Sequence, residues 1–228
     1  MHHSFWHQRW QEQQIGFHLD GINPYLSKYW PRLELPEQSR VFVPLCGKSH
    51  DLRYFHQQGH RVIGNELSSL AVQDFYTEQQ LNASKSVISA EDSSLGQPQM
   101  MLWNSPEVDI LCGDFFALKK EQLSDIKAVY DRAALVALPL EMRVQYVQKL
   151  MQLLPKKISM LLLTLEYDEN EKQGPPFSVP EEEVYAHYSS HFDIELLESA
   201  DIASAKRSTR SQNMTYFLEK AFLLTRSC

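Results

Sequence analysis

The sequence holds only three cysteines, Cys46, Cys112 and Cys228, with no Cys-x-x-Cys pair among them. Such an odd, scattered set provides neither a disulfide framework nor a thiolate metal centre, and it suits a reducing cytoplasm. Glycine is scarce, at 8 residues, and no G-x-G-x-x-G occurs. A dinucleotide needs those glycines for its pyrophosphate to approach a helix N-terminus, so NAD(P) is disfavoured. Long apolar runs are missing as well. The longest, Met160 to Leu163 extended by Thr164 and Leu165, falls far short of the roughly 20 residues that span a bilayer. Positive charge is in the minority, with 22 Lys plus Arg against 29 Asp plus Glu and a formal net charge of -7. That balance repels polyanions, which argues against nucleic acid or an anionic membrane as a partner, and it otherwise serves solubility.

Catalytic signatures are also lacking. His3/His7, His56/His60 and His187/His191 are spaced i,i+4, yet none has the glutamate of H-E-x-x-H and no third ligand is evident, so no metal is expected. There is no G-x-S-x-G elbow for a hydrolase. Gly47-Lys48-Ser49 matches the end of a phosphate loop, but Phe42 stands where that motif places its first glycine, which argues against ATP. After His2 and His3 comes an amphipathic mixture rather than an apolar core with a small-residue cleavage site, so no secretory leader is expected.

What is present is a globular composition, 43% hydrophobic and 11% aromatic, sufficient for one substantial core and a single domain over residues 1–228. Residues 1–39 read as a helical extension. Ser4 is placed to cap a helix bearing Phe5, Trp6, Trp10 and Ile15, and Asn23-Pro24 supplies a cap and a first-turn proline for Tyr25 to Trp30. From Arg40 the pattern changes. Val41-Phe42-Val43 suits a buried strand; Ser49, Leu52, Phe55 and Gly59 outline a helix; Arg61 to Glu66 gives a second strand, completing a βαβ unit with parallel strands. Further elements are expected as a helix over Ser68 to Gln80, a hairpin of Met100 to Trp103 with Val108 to Cys112, and a strand at Ala128 to Asp131. A helix from Glu141 to Leu154, a strand over Ile158 to Leu165, and two late strands at Phe192 to Leu197 and Met214 to Thr225 complete the reading, the last two suggesting an antiparallel ending. Gly174-Pro175-Pro176 reads as a loop.

In an open parallel sheet, ligands lie beyond the carboxyl ends of the strands, where the first loop meets the ligand and an acid ending the second strand takes ribose hydroxyls. Leu45 to Gly47 and Glu66 occupy those places, and Gly47 precedes Glu66 by 19 residues. A carboxylate suits a ribose diol because it accepts two charge-assisted hydrogen bonds. The same spacing also suits a strand that merely ends in an exposed glutamate. Trp6 and Trp10 at i,i+4 equally suit core anchors, and Arg132 an ordinary ion pair.

Several blocks together are more specific. Phe5 to Trp10 with Ile15 to His18, Val41 to Ser49, Gly59 to Glu66, Tyr130 to Leu138, Gly174 to Phe177 and Phe217 to Lys220 resemble, in order, the signature blocks of thiopurine S-methyltransferases. The resemblance implies a Rossmann-like class I methyltransferase fold of the α/β class. Its mostly parallel seven-stranded sheet has an antiparallel C-terminal strand and helices on both faces. It implies methyl transfer from S-adenosylmethionine to the sulfur of aromatic or heterocyclic thiols, extending to selenium or tellurium compounds in bacterial members. It implies cofactor contacts from Trp10, Leu45, Glu66 and Arg132, with Gly113 and Asp114 near the adenine and Phe17 bordering the acceptor pocket. Indole faces attract a sulfonium, and a guanidinium pairs with a carboxylate. Asp131 is the one candidate base, although an acidic heterocyclic thiol needs none. The chain departs from the family pattern at Ala133, where glycine is common after Asp-Arg, and at Asn65. Lys206 to Arg210 matches the acceptor-side loop poorly and reads as a solvated basic loop. A cytoplasmic monomer acting on a small thiol or selenol is the resulting expectation. A nicotinamide oxidoreductase and a non-catalytic S-adenosylmethionine-binding protein remain as alternatives.

Overall fold

A computed structural model describes residues 3–89, 100–203 and 214–226. The first helix, α1 (His3–Gln11), buries only Trp10. It ends before Ile15 because Gln13 adopts a left-handed backbone, φ 54°. The Gln13 N–H then donates to the Trp10 carbonyl and the Gln14 N–H to the Arg9 carbonyl, closing a Schellman motif without the glycine that would have announced it. Ser4 lies inside this helix rather than capping it. In α2 (Pro24–Tyr29), Asn23 does cap as expected, its side chain accepting the Tyr25 N–H at 2.8 Å, and a 3-10 turn (Trp30–Leu33) extends it.

The βαβ unit forms as anticipated. Strand β1 (Arg40–Val43), helix α3 (Asp51–Gln57) and strand β2 (Arg61–Glu66) follow in order, with β1 and β2 parallel and Val41 opposite Val62. His50 rather than Ser49 takes the cap position of α3, although the Ser49 hydroxyl accepts the Asp51 N–H at 3.1 Å. Gly59, with φ 81°, closes the helix. In α4 (Ser69–Glu78), Ser68 caps through the Ala71 N–H. Strand β3 (Ser84–Ser89) has no counterpart in the sequence reading, since Ser84 to Ile88 lie exposed at a sheet edge and carry little apolar signal. Then β4 (Met100–Asn104) and β5 (Val108–Cys112) make the anticipated hairpin.

The remaining elements are β6 (Ile126–Arg132), α5 (Leu140–Leu153), β7 (Ile158–Glu166), α6 (Glu181–Tyr188), β8 (Asp193–Asp201) and β9 (Leu218–Arg226). Helix α6 was not anticipated; Pro180 and three glutamates in its first turn mark its start. Strand β9 begins at Leu218 rather than Met214. The nine strands of the described residues form one sheet in the order β3-β4-β5-β2-β1-β6-β7-β9-β8. Two strands, β3 and β4, extend one edge beyond the anticipated seven, and β9 runs antiparallel to β7. The basic segment Lys206 to Arg210 lies outside the described residues.

Strand side chains alternate between two cores, which places helices on both faces. Phe42, Ile63, Val129 and Leu162 pack with α5 and α6 residues such as Tyr146, Leu150 and Tyr188. Val41, Val62, Tyr130 and Leu161 pack with Leu26, Phe55 and Phe75 from α2, α3 and α4. Strand order reverses at β1, which pairs with β2 on one side and β6 on the other. A crevice therefore opens beyond the carboxyl ends of these strands, the usual ligand position in an open α/β sheet.

Candidate functional site

The loop after β1 is held in an uncommon shape. Leu45 has φ 45° and Gly47 φ 55°, both in the left-handed region that a residue with a Cβ rarely enters. At Gly47 glycine is favoured on two counts, because a Cβ there would also lie a tight 3.2 Å from Cζ2 of the Trp10 indole. This turn aims the Gly47 N–H at Oε2 of Glu66, 2.9 Å away, while Oε1 accepts the Ser68 N–H at 2.7 Å. Glu66 is buried. Burial raises its pKa, and the N–H groups of Ser68, Gly47 and Leu67 oppose that rise. Each carboxylate oxygen still has a lone pair to offer a ligand.

Backbone bonds join this turn to its neighbours. The Cys46 N–H donates to the Asn65 carbonyl and the Gly113 N–H to the Glu66 carbonyl, both at 2.9 Å. The Asn65 amide donates to the carbonyls of Leu111 and Gly113, so the residue that departs from the family pattern ties the end of β2 to the end of β5.

From the other side, the segment after α1 folds over the crevice. Phe17 meets Trp6 and Trp10 edge-on, with ring centroids 5.9 and 5.5 Å apart. Its carbonyl accepts a hydrogen bond from Nη2 of Arg132 at 3.1 Å. The cavity so enclosed, about 230 Å³, is lined by Trp10, Phe17, Leu45, Glu66 and Arg132 among others. Of the residues singled out in the sequence, these five come together. A second cavity of about 420 Å³ adjoins it, lined by Tyr25, Thr164 and Phe217 among others. Phe17, Arg132, Ala133, Val136 and Pro176 line both cavities and form the wall between them.

Three other candidates lie apart from these linings. Gly113 spends its N–H on Glu66. Asp114 accepts the Phe116 N–H at 3.0 Å and stands 3.7 Å from His3 Nε2. Asp131 is fully buried, accepting the Tyr146 hydroxyl at 2.7 Å and the Leu135 N–H at 3.1 Å. Sequence reasoning missed Tyr25 and Thr164, which read as ordinary helix and strand residues. Pro175 and Pro176 were visible only as a loop.

Burial pushes Asp131 up to about 6, against the opposing hydrogen bonds from Tyr146 and from the Leu135 and Ala134 N–H groups. A carboxyl whose folded pKa lies above its unfolded value holds its proton more tightly in the native state, so stability is lost as pH rises between the two. With the free value at 3.8, the loss between about pH 4 and pH 6 is on the order of 3 kcal/mol. Urea unfolding of Asp131→Asn over this range is expected to lack that decline. Parallel pH profiles for variant and parent would show that the carboxyl carries no such cost.

Electrostatics elsewhere in the crevice follow from burial. Cys46 lines the smaller cavity, and its thiol is raised well above the usual range by burial above all, with a contribution from the Glu66 charge. Lys48 is buried and paired with Glu78 at 2.6 Å. Among the described residues, no three His, Cys, Asp or Glu side chains are grouped to hold a metal ion, and no helix is long and apolar enough to cross a membrane.

Comparison with known proteins places this geometry in context. The family model for thiopurine S-methyltransferase matches residues 1–227. A thiopurine S-methyltransferase from Pseudomonas putida is 43% identical over 226 residues, which is 99% of this chain and 100% of that one. One from Methylococcus capsulatus is 42% identical over 221 residues, 97% of this chain and 96% of that one. Among solved structures, a SAM-dependent methyltransferase from Anabaena variabilis aligns with a TM-score of 0.63 at 16% identity, covering 99% of this chain and 95% of that one. That last likeness supports the fold, a class I methyltransferase sheet with two added edge strands.

Proposed function

We propose, from the premise that the chain belongs to the thiopurine S-methyltransferase family, that it methylates the sulfur of an aromatic or heterocyclic thiol. S-Adenosylmethionine occupies the smaller cavity in this reading, and the acceptor the larger. The observation that carries it is the shared wall, since two adjoining chambers let a donor and an acceptor meet without mixing their binding groups.

The donor set of the smaller cavity fits the cofactor. Glu66 offers carboxylate lone pairs to a ribose diol at the end of β2, Gly47 packs without a side chain against Trp10, and the indole suits a sulfonium cation. When bound, S-adenosylmethionine supplies a methyl group already activated by positive charge on sulfur. The protein's work is therefore alignment, which contributes on the order of 7–11 kcal/mol in well-oriented systems. Phe17 and Val136 present apolar surface at the wall and keep water from an incoming sulfur. Arg132, on the same wall, is a fixed positive charge that pairs with the cofactor carboxylate and favours an acceptor thiol in its ionised form. Asp131 acts from behind the wall as a positioning residue, holding the Leu135 N–H. A selenium nucleophile suits the same arrangement.

The test is transfer of label from methyl-labelled S-adenosylmethionine to 6-mercaptopurine, with release of S-adenosylhomocysteine in equal amount. Label on sulfur is the expected result. Absence of transfer to every member of a panel of aromatic thiols and selenols overturns the reading.

A further inference from the structure

Ala133 follows Arg132 out of β6 with φ 62°, a backbone conformation that any residue with a Cβ resists. Asp131, Ala134 and Leu135 around it are fully buried, whereas Ala133 keeps part of its surface exposed. That exposure faces the crevice, because Ala133 lines both cavities.

Its position is tightly fixed. On one side Arg132 is tied to the Phe17 carbonyl at 3.1 Å; on the other the Asp131 carboxylate holds the Leu135 N–H at 3.1 Å. A segment anchored at both ends cannot withdraw from a bulky ligand without breaking one of these bonds. The Ala133 side chain is a single carbon, so glycine is the one residue that would take up less room at this point of the shared wall.

The acceptor sulfur must come within about 3–3.5 Å of the methyl carbon, in line with the bond that breaks. Substituents beside the sulfur travel with it toward the shared wall, whereas substituents across the ring stay behind in the larger chamber. We propose that Ala133 selects acceptors by the bulk next to their sulfur, admitting aromatic thiols with unsubstituted flanks and rejecting those with substituents on both ortho carbons. This inference rests on the assignment of the larger chamber to the acceptor.

Two isomers separate bulk from hydrophobicity: 3,5-dimethylthiophenol carries its methyl groups away from the sulfur and 2,6-dimethylthiophenol carries them beside it. For Ala133→Gly, kcat/KM for the 2,6 isomer relative to the 3,5 isomer is expected to rise at least 10-fold. Ala133→Ser keeps a side chain at the wall and is expected to leave the ratio at or below that of the parent. Calorimetric affinity for each isomer, measured on protein saturated with S-adenosylhomocysteine, should move in the same direction. A glycine variant whose turnover and affinity ratios both stay within two-fold of the parent overturns the proposal. If the parent methylates no member of a panel of aromatic thiols and selenols but the affinity ratio shifts with glycine, methyl transfer to thiols fails as a function while the steric role of Ala133 stands.

Discussion

Glu66→Ala is expected to weaken S-adenosylmethionine binding at least 100-fold and to lower the stability of the protein at the same time. The first effect follows if Glu66 accepts two ribose hydroxyls, as proposed above, since hydrogen bonds to charged groups contribute about 1.5–3 kcal/mol each. The second is independent of any ligand. The carboxylate accepts the N–H groups of Gly47 and Ser68 at 2.9 and 2.7 Å, and truncation leaves both facing a void. Leaving such donors unpaired costs about 1–3 kcal/mol apiece, somewhat relieved here by water entering from the cavity. Titration calorimetry with S-adenosylhomocysteine, alongside thermal unfolding without ligand, reads the two effects separately. An affinity within three-fold of the parent would remove Glu66 from the binding machinery, whatever happened to the melting temperature. Glu66→Gln should fall between, because one amide oxygen remains while the NH2 group opposes an N–H donor.

Gly64→Ala should be nearly as damaging, though it touches no ligand. An added Cβ would stand 2.7 Å from the Cys46 sulfur, with Ile110 and the Cys46 Cβ each 3.5 Å away. The main chain of Cys46 is held by burial and by the bond of its N–H to the Asn65 carbonyl, so the sulfur can yield only by turning toward the cavity it lines. Overpacking of this kind costs about 1–3 kcal/mol, which corresponds to a melting temperature lower by roughly 2–12 °C in a chain of this size. Movement of Cys46 also displaces Gly47, whose N–H serves Glu66, so cofactor affinity should fall as well. A double-mutant cycle makes the cause visible: removing the sulfur in Cys46→Ala/Gly64→Ala should restore most of the lost stability. Simple additivity of the two single changes would show that the clash lies elsewhere.

These two positions illustrate how unevenly the molecule was written into its sequence. The βαβ unit was legible because a short apolar run, the Leu52 and Phe55 stripe of the helix and a left-handed glycine all agreed on it. Glu66 was legible from its spacing alone, and the ordered blocks brought Trp10, Phe17, Leu45 and Arg132 into one expected site. Gly64 gave no signal, since its need arises from Cys46, which is brought against it only by folding. Helix α1 ended early for a similar reason: Gln13 takes the left-handed position that glycine would have advertised. Strand β3 was hidden by its exposed edge, where apolar residues are sparse. Tyr25 and Thr164 were invisible as cavity residues because the larger chamber draws on α2, β7 and the end of β6, which are distant in sequence and meet only when the sheet is assembled.

Cys46 sits in the same cavity that is read as holding an activated methyl group, and a thiolate there would be a nucleophile able to consume it. Burial and the adjacent Glu66 charge keep this sulfur protonated, and a neutral thiol is a far weaker nucleophile than its anion. Burial above all, with the Glu66 carboxylate beside it, thus leaves a poor nucleophile in the wall of the cavity that Cys46 lines.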